Sequence, residues 1–350
     1  MATSIEQHLK EQENARKRFA SYLDNIIDAG DYPKRLSLPI SIQFELTEQC
    51  NMRCKHCYNQ SGECSKNESY LNVEDWLNIS HEIVDHGGVF QVILSGGEPL
   101  ILKDDLFKIM DVFHNDGTKF ILITNAYLLS KEYISRFKKY RFSWFQVSID
   151  GTSAQVHDSF RQKNGSYDRC INACMDVSNA GIPLKIASTI IPSELDNIEQ
   201  YVIQAISVGA SAIILGDIMP SGRAFDNPEL MLSYEQKTKL YNEIDRLRCE
   251  YSNYIEIHEN TFASSQLRQM QDGTLDSLII RPNGDLRLDC TAPFIVGNIK
   301  NSSFCKQWEK LPGDLWKHPS ICEFIDSVDP YSGKSNLISN YFDKDIILEF

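Results

Sequence analysis

The chain has 350 residues and a formal net charge of −13; 42% of its residues are hydrophobic and 24% charged. Those proportions are ordinary for a soluble globular protein, and the length exceeds the usual limit of about 250–300 residues for one core, so two domains are expected. The acidic balance argues against general nucleic-acid binding, and more mildly against anionic membranes. No apolar stretch approaches the roughly 18 residues of a membrane span. Met1 to Arg18 is polar and charged, so no signal peptide is expected. Ten cysteines in a chain this long do not make a disulfide scaffold.

Residues 1–38 read as an extension of one or two helices. Ile5, Leu9, Phe19, Leu23 and Ile27 mark its inward face, and Asp31-Tyr32-Pro33 ends it. Ile40 to Leu46 alternates apolar and polar residues as a strand does, and runs into Cys50-Asn51-Met52-Arg53-Cys54-Lys55-His56-Cys57-Tyr58. A helix follows, with Asn72 as N-cap, Asp75 three residues on, and Trp76, Ile79, Ile83 and Val84 on one apolar face. It stops at Gly87-Gly88. Val89 to Leu94 is a second strand, ending in Ser95-Gly96-Gly97-Glu98-Pro99. Next come a helix centred on Leu106 to Phe113, a strand from Phe120 to Ile123 ending in Thr124-Asn125, and a helix from Ser130 through Lys139. The fourth strand, Phe145 to Ile149, carries Ser148 and leads into Asp150-Gly151. Helix 166–180, strand 184–190, helix 196–208 and strand 211–216 complete the series. Six strand–helix alternations imply an α/β fold with a parallel sheet and right-handed crossovers. Roughly 180 residues for six units is the size of a partial (β/α)6 barrel rather than a closed eight-unit one.

The polar motifs fall where successive strands end, which is where ligand sites of parallel sheets occur. Cys50, Cys54 and Cys57, spaced CX3CX2C, supply three corners of an iron–sulfur cube that ordinarily takes four thiolates. No fourth cysteine follows at ferredoxin spacing, and Cys64 stands beyond a polar stretch. One iron is then left open to a small molecule. A zinc site and a set of buried, inert cysteines stay open beside this reading. Taken singly, Gly96-Gly97 also reads as a tight turn, Glu98 as a helix cap, Asp150-Gly151 as a plain turn and Arg161 as a surface residue.

Residues 39 to about 224 resemble the radical S-adenosylmethionine (SAM) enzymes, with the motifs in that superfamily's order. The resemblance implies a [4Fe–4S] cluster on Cys50, Cys54 and Cys57, whose fourth iron is chelated by SAM. It places His56 near the adenine, Gly96, Gly97, Glu98 and Pro99 at the methionyl amino group, and Ser148 and Asp150 at the ribose and carboxylate. Arg161 faces the carboxylate in that comparison, and Thr124 and Asn125 join the cofactor site. Pro220-Ser221-Gly222-Arg223-Ala224 resembles a segment common in peptide-modifying members.

Residues 39–225 are thus expected to form the radical SAM partial barrel, and 226–350 a smaller α+β domain. Leu278 to Cys290 resembles a hairpin of SPASM and twitch domains, and Pro293, Gly297-Asn298-Ile299 and Trp308 continue the likeness. The cysteine those domains carry before the glycine is missing here, and the spacing from Gly284 to Cys290 is one residue longer than theirs. Cys290, Cys305 and Cys322 either form an auxiliary iron–sulfur site or belong to a degenerate, cluster-free domain.

The implied reaction is reductive SAM cleavage to a 5′-deoxyadenosyl radical that abstracts hydrogen from a peptide, in maturation of a ribosomal peptide natural product by crosslinking or epimerisation. Cys290 is the candidate hydrogen donor for the latter. Expected partners are a precursor peptide and an electron donor such as a flavodoxin or ferredoxin, with no nucleic acid and no membrane. The setting is the reducing cytoplasm. Two alternatives are a redox-neutral epimerase or dehydrogenase acting on a sugar or aminoglycoside, and a non-catalytic metal-binding protein.

Overall fold

A computed structural model describes residues 33–63, 69–219, 221–260, 263–328 and 345–349, with isolated positions among the first 32. The expected N-terminal helices, with Ile5, Leu9, Phe19, Leu23 and Ile27, and also Cys64 lie outside the described residues.

Six strands appear in the expected order, each of the first five followed by at least one helix. They run β1 (Ser41–Glu45), α1 (Val73–Asp85), β2 (Gln91–Ser95), α2 (Asp104–Asp116), β3 (Lys119–Thr124) and α3 (Lys131–Phe137). Then follow β4 (Phe142–Ser148), α4 (Ala154–Arg161), α5 (Ser166–Asn179), β5 (Leu184–Thr189), α6 (Ile198–Ser207) and β6 (Ala212–Gly216). All six strands are parallel, with registers such as Phe44↔Leu94 and Ile186↔Ile213. The start of α1 shows why the chain turns helical there. Asn72 Oδ1 accepts from Glu74 N and Asp75 N, and Asp75 Oδ2 accepts from Asn72 N at 2.8 Å. Trp76, Ile79 and Ile83 then bury one face.

The strand pleat separates two environments. Ile42 and Phe44 point outward to the helices, where Phe44 packs 4.9 Å from Trp76 and 5.8 Å from Phe113, centroid to centroid. Each such buried side chain contributes about 1.5–3 kcal/mol. On β1 the residues of opposite parity, Ser41, Gln43 and Glu45, are polar, and Gln43 Nε2 donates to Ser95 Oγ at 2.9 Å.

Beyond these six strands the sheet extends at both edges. After α7 (Tyr234–Glu250), β7 (Glu256–Asn260) adds in parallel to β6. After α8 (Ala263–Asp272), β8 (Ser277–Ile280) adds in parallel to β1. β8, β9 (Asp285–Asp289) and β10 (Ala292–Asn298) are successive antiparallel neighbours, which is the expected hairpin with one more strand. α9 (Phe304–Trp308), α10 (Pro319–Val328) and β11 (Ile346–Ile347) follow, β11 parallel to β10. The described strands form one sheet in the order β11-β10-β9-β8-β1-β2-β3-β4-β5-β6-β7.

Candidate active site

The cysteine loop leaves the carboxyl end of β1 and is gripped from two sides. On one side lie the glycines after β2. Gly97 N donates to Thr47 O at 2.6 Å, and Glu98 N to Gln49 O at 2.9 Å. A Cβ on Gly97 would lie 2.1 Å from Gln49 O, and one on Gly96 (φ +129°) would lie 2.8 Å from Thr47 O. The two glycines let two backbones touch. On the other side is the segment after β6. Arg223 N donates to Cys57 O at 3.0 Å, Arg223 Nε to Cys54 O at 2.9 Å, and the Arg223 fork to Ser61 O at 3.3 Å. Asn227 Nδ2 donates to Lys55 O at 3.2 Å. A Cβ on Gly222 would meet Cys57 O and Tyr58 O, both at 2.4 Å. The carbonyls of Cys54, Lys55, Cys57 and Ser61 are thus satisfied. The clamping role of Gly222, Arg223 and Asn227 is not visible in the sequence.

Beneath the loop lies a buried ion pair. Asp150, 2% exposed, holds Arg161 Nη2 at 2.5 Å and accepts from Thr189 N at 2.7 Å. Arg161 Nη1 reaches Cys54 Sγ at 3.6 Å. Arg161 is therefore a core residue and not a surface one, and α4 delivers it; that helix starts at Ser153, whose Oγ accepts from Val156 N. Burial opposes both charges, but Arg161 holds the Asp150 carboxyl below its usual range, and Asp150 holds the guanidinium charged. His56 stacks on Phe160, centroids 4.4 Å apart and planes 4° from parallel, with Nε2 3.8 Å from Asp150. Burial pushes the His56 and His157 pKa values down to about 4, so both rings are neutral at pH 7. Asp150 N donates to His157 Nδ1 at 3.2 Å, which leaves the proton on His157 Nε2.

Glu98 is fully buried and joins two strand ends. It accepts from Thr124 Oγ1 at 2.7 Å, Asn125 N at 2.9 Å and Leu100 N at 3.1 Å. It caps the short 3-10 turn Pro99–Leu102. The helix-cap reading of Glu98 accounts for its bond to Leu100 N but not for those to Thr124 and Asn125. Asn125 Nδ2 donates to Asn51 Oδ1 at 2.9 Å and lies 3.9 Å from Cys50 Sγ. Ser148 ends β4, and its carbonyl lies 3.7 Å from Cys170 Sγ. Gly151 allows close approach of His157, whose backbone N would be 2.5 Å from a Cβ there.

The donor set fits an iron–sulfur cluster and a polar cofactor. Cys50, Cys54 and Cys57 are free thiols on one clamped loop, with a guanidinium beside Cys54 to offset added negative charge. Burial pushes the Cys50 thiol up to about 11 and raises Cys54 as well; metal binding would displace those protons. Among the described residues no three ligating side chains already stand as a set around a metal ion. Asn51 Nδ2, His56 Nδ1, His157 Nε2 and Ser188 Oγ are buried without a hydrogen-bond partner, a cost that a polar ligand would relieve.

Cys290, Cys305 and Cys322 have separate surroundings. Cys305 is in α9 against α1, where Glu82 accepts from its backbone N at 2.9 Å. Cys322 is in α10, with Gln271 Nε2 3.3 Å from its sulfur. Cys290 turns between β9 and β10 with its sulfur 3.7 Å from Asp289, and burial raises its thiol pKa.

Residues 44–205 match the radical SAM superfamily. The chain is 26% identical over 320 residues to the AdoMet-dependent heme synthase of Methanosarcina barkeri, covering 82% of this chain and 89% of that protein. It is 31% identical over 215 residues to the mycofactocin maturase MftC of Mycolicibacterium smegmatis, covering 60% of this chain and about half (53%) of that relative. Among solved structures, Streptococcus suis SuiB bound to S-adenosylmethionine matches with a TM-score of 0.65 at 15% identity, over 93% of this chain and 75% of that one, which shows a shared fold. The family match takes in the cysteine loop and the strands around it, so residues 44–205 are a radical SAM domain.

Proposed function

We propose that this enzyme modifies a peptide in the reducing cytoplasm, with a flavodoxin- or ferredoxin-like electron donor. Cys50, Cys54 and Cys57 would hold the [4Fe–4S] cluster. His56, Gly96 to Pro99, Thr124, Asn125, Ser148, Asp150 and Arg161 would form the SAM side of the site. When bound there, the cluster and SAM would supply radical chemistry able to remove hydrogen from an unactivated C–H bond. Arg161, kept charged by Asp150, orients an anionic group beside Cys54. Glu98 spends its oxygens on Thr124 and Asn125, so it acts by fixing the rim and the Gly96–Gly97 contact with the loop. The neutral His56, stacked on Phe160, offers a flat apolar face. The clamped loop keeps these groups in place and limits water.

The peptide reading is carried by the relatives and the fold neighbours. The relatives include MftC and the Bacillus subtilis subtilosin biosynthesis protein AlbA, which is 26% identical over 271 residues. SuiB bound to precursor peptide SuiA matches this fold over 89% of the chain. For epimerisation, Cys290 is the candidate donor, and burial favours its protonated thiol. A small-molecule substrate is the second reading, favoured by the heme synthase likeness along 82% of the chain. Short peptides encoded beside this chain's reading frame, incubated with the reduced enzyme in D2O, separate the two. A changed peptide mass with peptide-stimulated 5′-deoxyadenosine supports the peptide reading. Stimulation by tetrapyrroles or sugars, with every peptide unchanged, overturns it.

A further inference from the structure

One edge of the sheet is closed by the chain's own C-terminal residues. β11 is two residues long, pairs with Phe294 and Ile295, and is extended by Leu348 N donating to Ile295 O at 2.9 Å. Its apolar side chains anchor it poorly: Ile346 is 43% exposed and Ile347 73%, while Leu348 is buried. A carboxylate does the holding. Asp345 Oδ2 accepts from Arg281 Nη1 at 2.8 Å, and Asp345 Oδ1 lies 3.7 Å from Arg287 Nη2. Both guanidinium groups are largely buried, and they converge from the end of β8 and from β9.

This cradle is wired to the cysteine loop. Arg281 Nε lies 3.5 Å from Glu45 Oε2, and Arg281 Nη2 3.9 Å from Glu48 Oε1. Glu45 Oε1 accepts from Tyr58 OH and Asn59 Nδ2, both at 3.0 Å, and these residues directly follow Cys57. Arg287 Nε donates to Ala292 O at 3.1 Å, which ties the cradle to the start of β10.

An extended peptide added to a sheet edge gains affinity from main-chain hydrogen bonds and selectivity from its side-chain anchors. We infer that the β10 edge with Arg281 and Arg287 is a docking site for an extended segment of the peptide substrate, one carboxylate followed by apolar residues, and that residues 345–349 occupy it as a competing stand-in. This rests on the peptide reading above. The two guanidinium groups converge on the one carboxylate of Asp345, which sets the preference for a single acid.

The test uses a fluorescein-labelled hexapeptide, Asp-Ile-Ile-Leu-Glu-Phe, the sequence of residues 345–350. Its anisotropy is titrated against the reconstituted full chain without reductant. Asp345→Asn in the full chain should tighten binding about tenfold, because the internal competitor is weakened. A hexapeptide beginning with Asn should bind neither chain. Equal affinity for native and Asp345→Asn chains, or equal binding of the two peptides, overturns the proposal and makes the tail a fixed strand. Should Asp345→Asn misfold, hydrogen exchange of the native chain decides. A stand-in shows Ile346–Leu348 amides that exchange well before the core strands and faster still with added peptide; protection equal to the core overturns the proposal. Binding is read without SAM turnover, so docking can fail while SAM cleavage and peptide modification stand, and the reverse.

Discussion

Glu98 is a carboxyl buried among donors. Three of them favour its charged form, yet burial pushes its pKa from 4.5 up to about 7. A carboxyl that binds its proton more tightly when folded lends stability that is present below the unfolded value and lost as pH rises through the folded one. The unfolding free energy should therefore fall across pH 4.5 to about 7 on account of this group. Glu98→Gln should flatten that fall in urea titrations while costing about 1–3 kcal/mol, because its amide faces the Asn125 N–H or the Thr124 hydroxyl. An unchanged slope would place the titration elsewhere. Arg161→Met strands Asp150 as an unpaired buried charge and should cost about 3–5 kcal/mol by urea unfolding. A loss below about 1 kcal/mol would mean that the pair behaves as a solvated surface bridge. At this scale the cysteines stood out by spacing and Gly96, Gly97 and Asp150 by their place at strand ends, whereas Arg161 came from the resemblance alone. The jobs of Glu98 and His56 were not legible, because they depend on burial and on partners far along the chain, such as Thr124 for Glu98.

The cysteine loop is positioned by two elements rather than by its own sequence. Gly97→Ala drives a Cβ to 2.1 Å from Gln49 O, and backbone cannot yield there as a side chain would. The variant should keep its far-UV circular dichroism and lose most of the iron it takes up on reconstitution; native iron content would show that the contact does not set the loop. The rim argument found the ends of the first four strands because each carries polar residues next to an apolar run. It did not reach Arg223, whose bond to Cys54 O spans 169 positions. α4 also escaped, since its buried residues His157, Phe160 and Arg161 are largely polar and leave no apolar stripe to read. α1, by contrast, was legible at both ends, through Asn72–Asp75 and Gly87-Gly88.

Across the whole molecule, the parallel order of β1 to β6 followed from strand–helix alternation, whereas the extensions did not. An incomplete barrel leaves β1 with an open edge, and unpaired edge groups call for a neighbour. β8 supplies it in the register Ser41↔Ser277, a pairing that no local pattern announces. The hairpin itself came from the likeness of Leu278 to Cys290 to SPASM and twitch domains; its docking partner did not. The rim, clamp and ion pair all converge on the three thiols of one loop, so SAM cleavage should depend on them. The most direct measurement is 5′-deoxyadenosine formed from SAM by the anaerobically reconstituted, chemically reduced chain, beside a variant carrying Cys50→Ala, Cys54→Ala and Cys57→Ala. The native chain should bind about four irons at this loop and form 5′-deoxyadenosine, and the variant should form none. Equal product from both chains, or none from a native chain that holds its iron, would contradict the assignment of the loop as the radical-generating site.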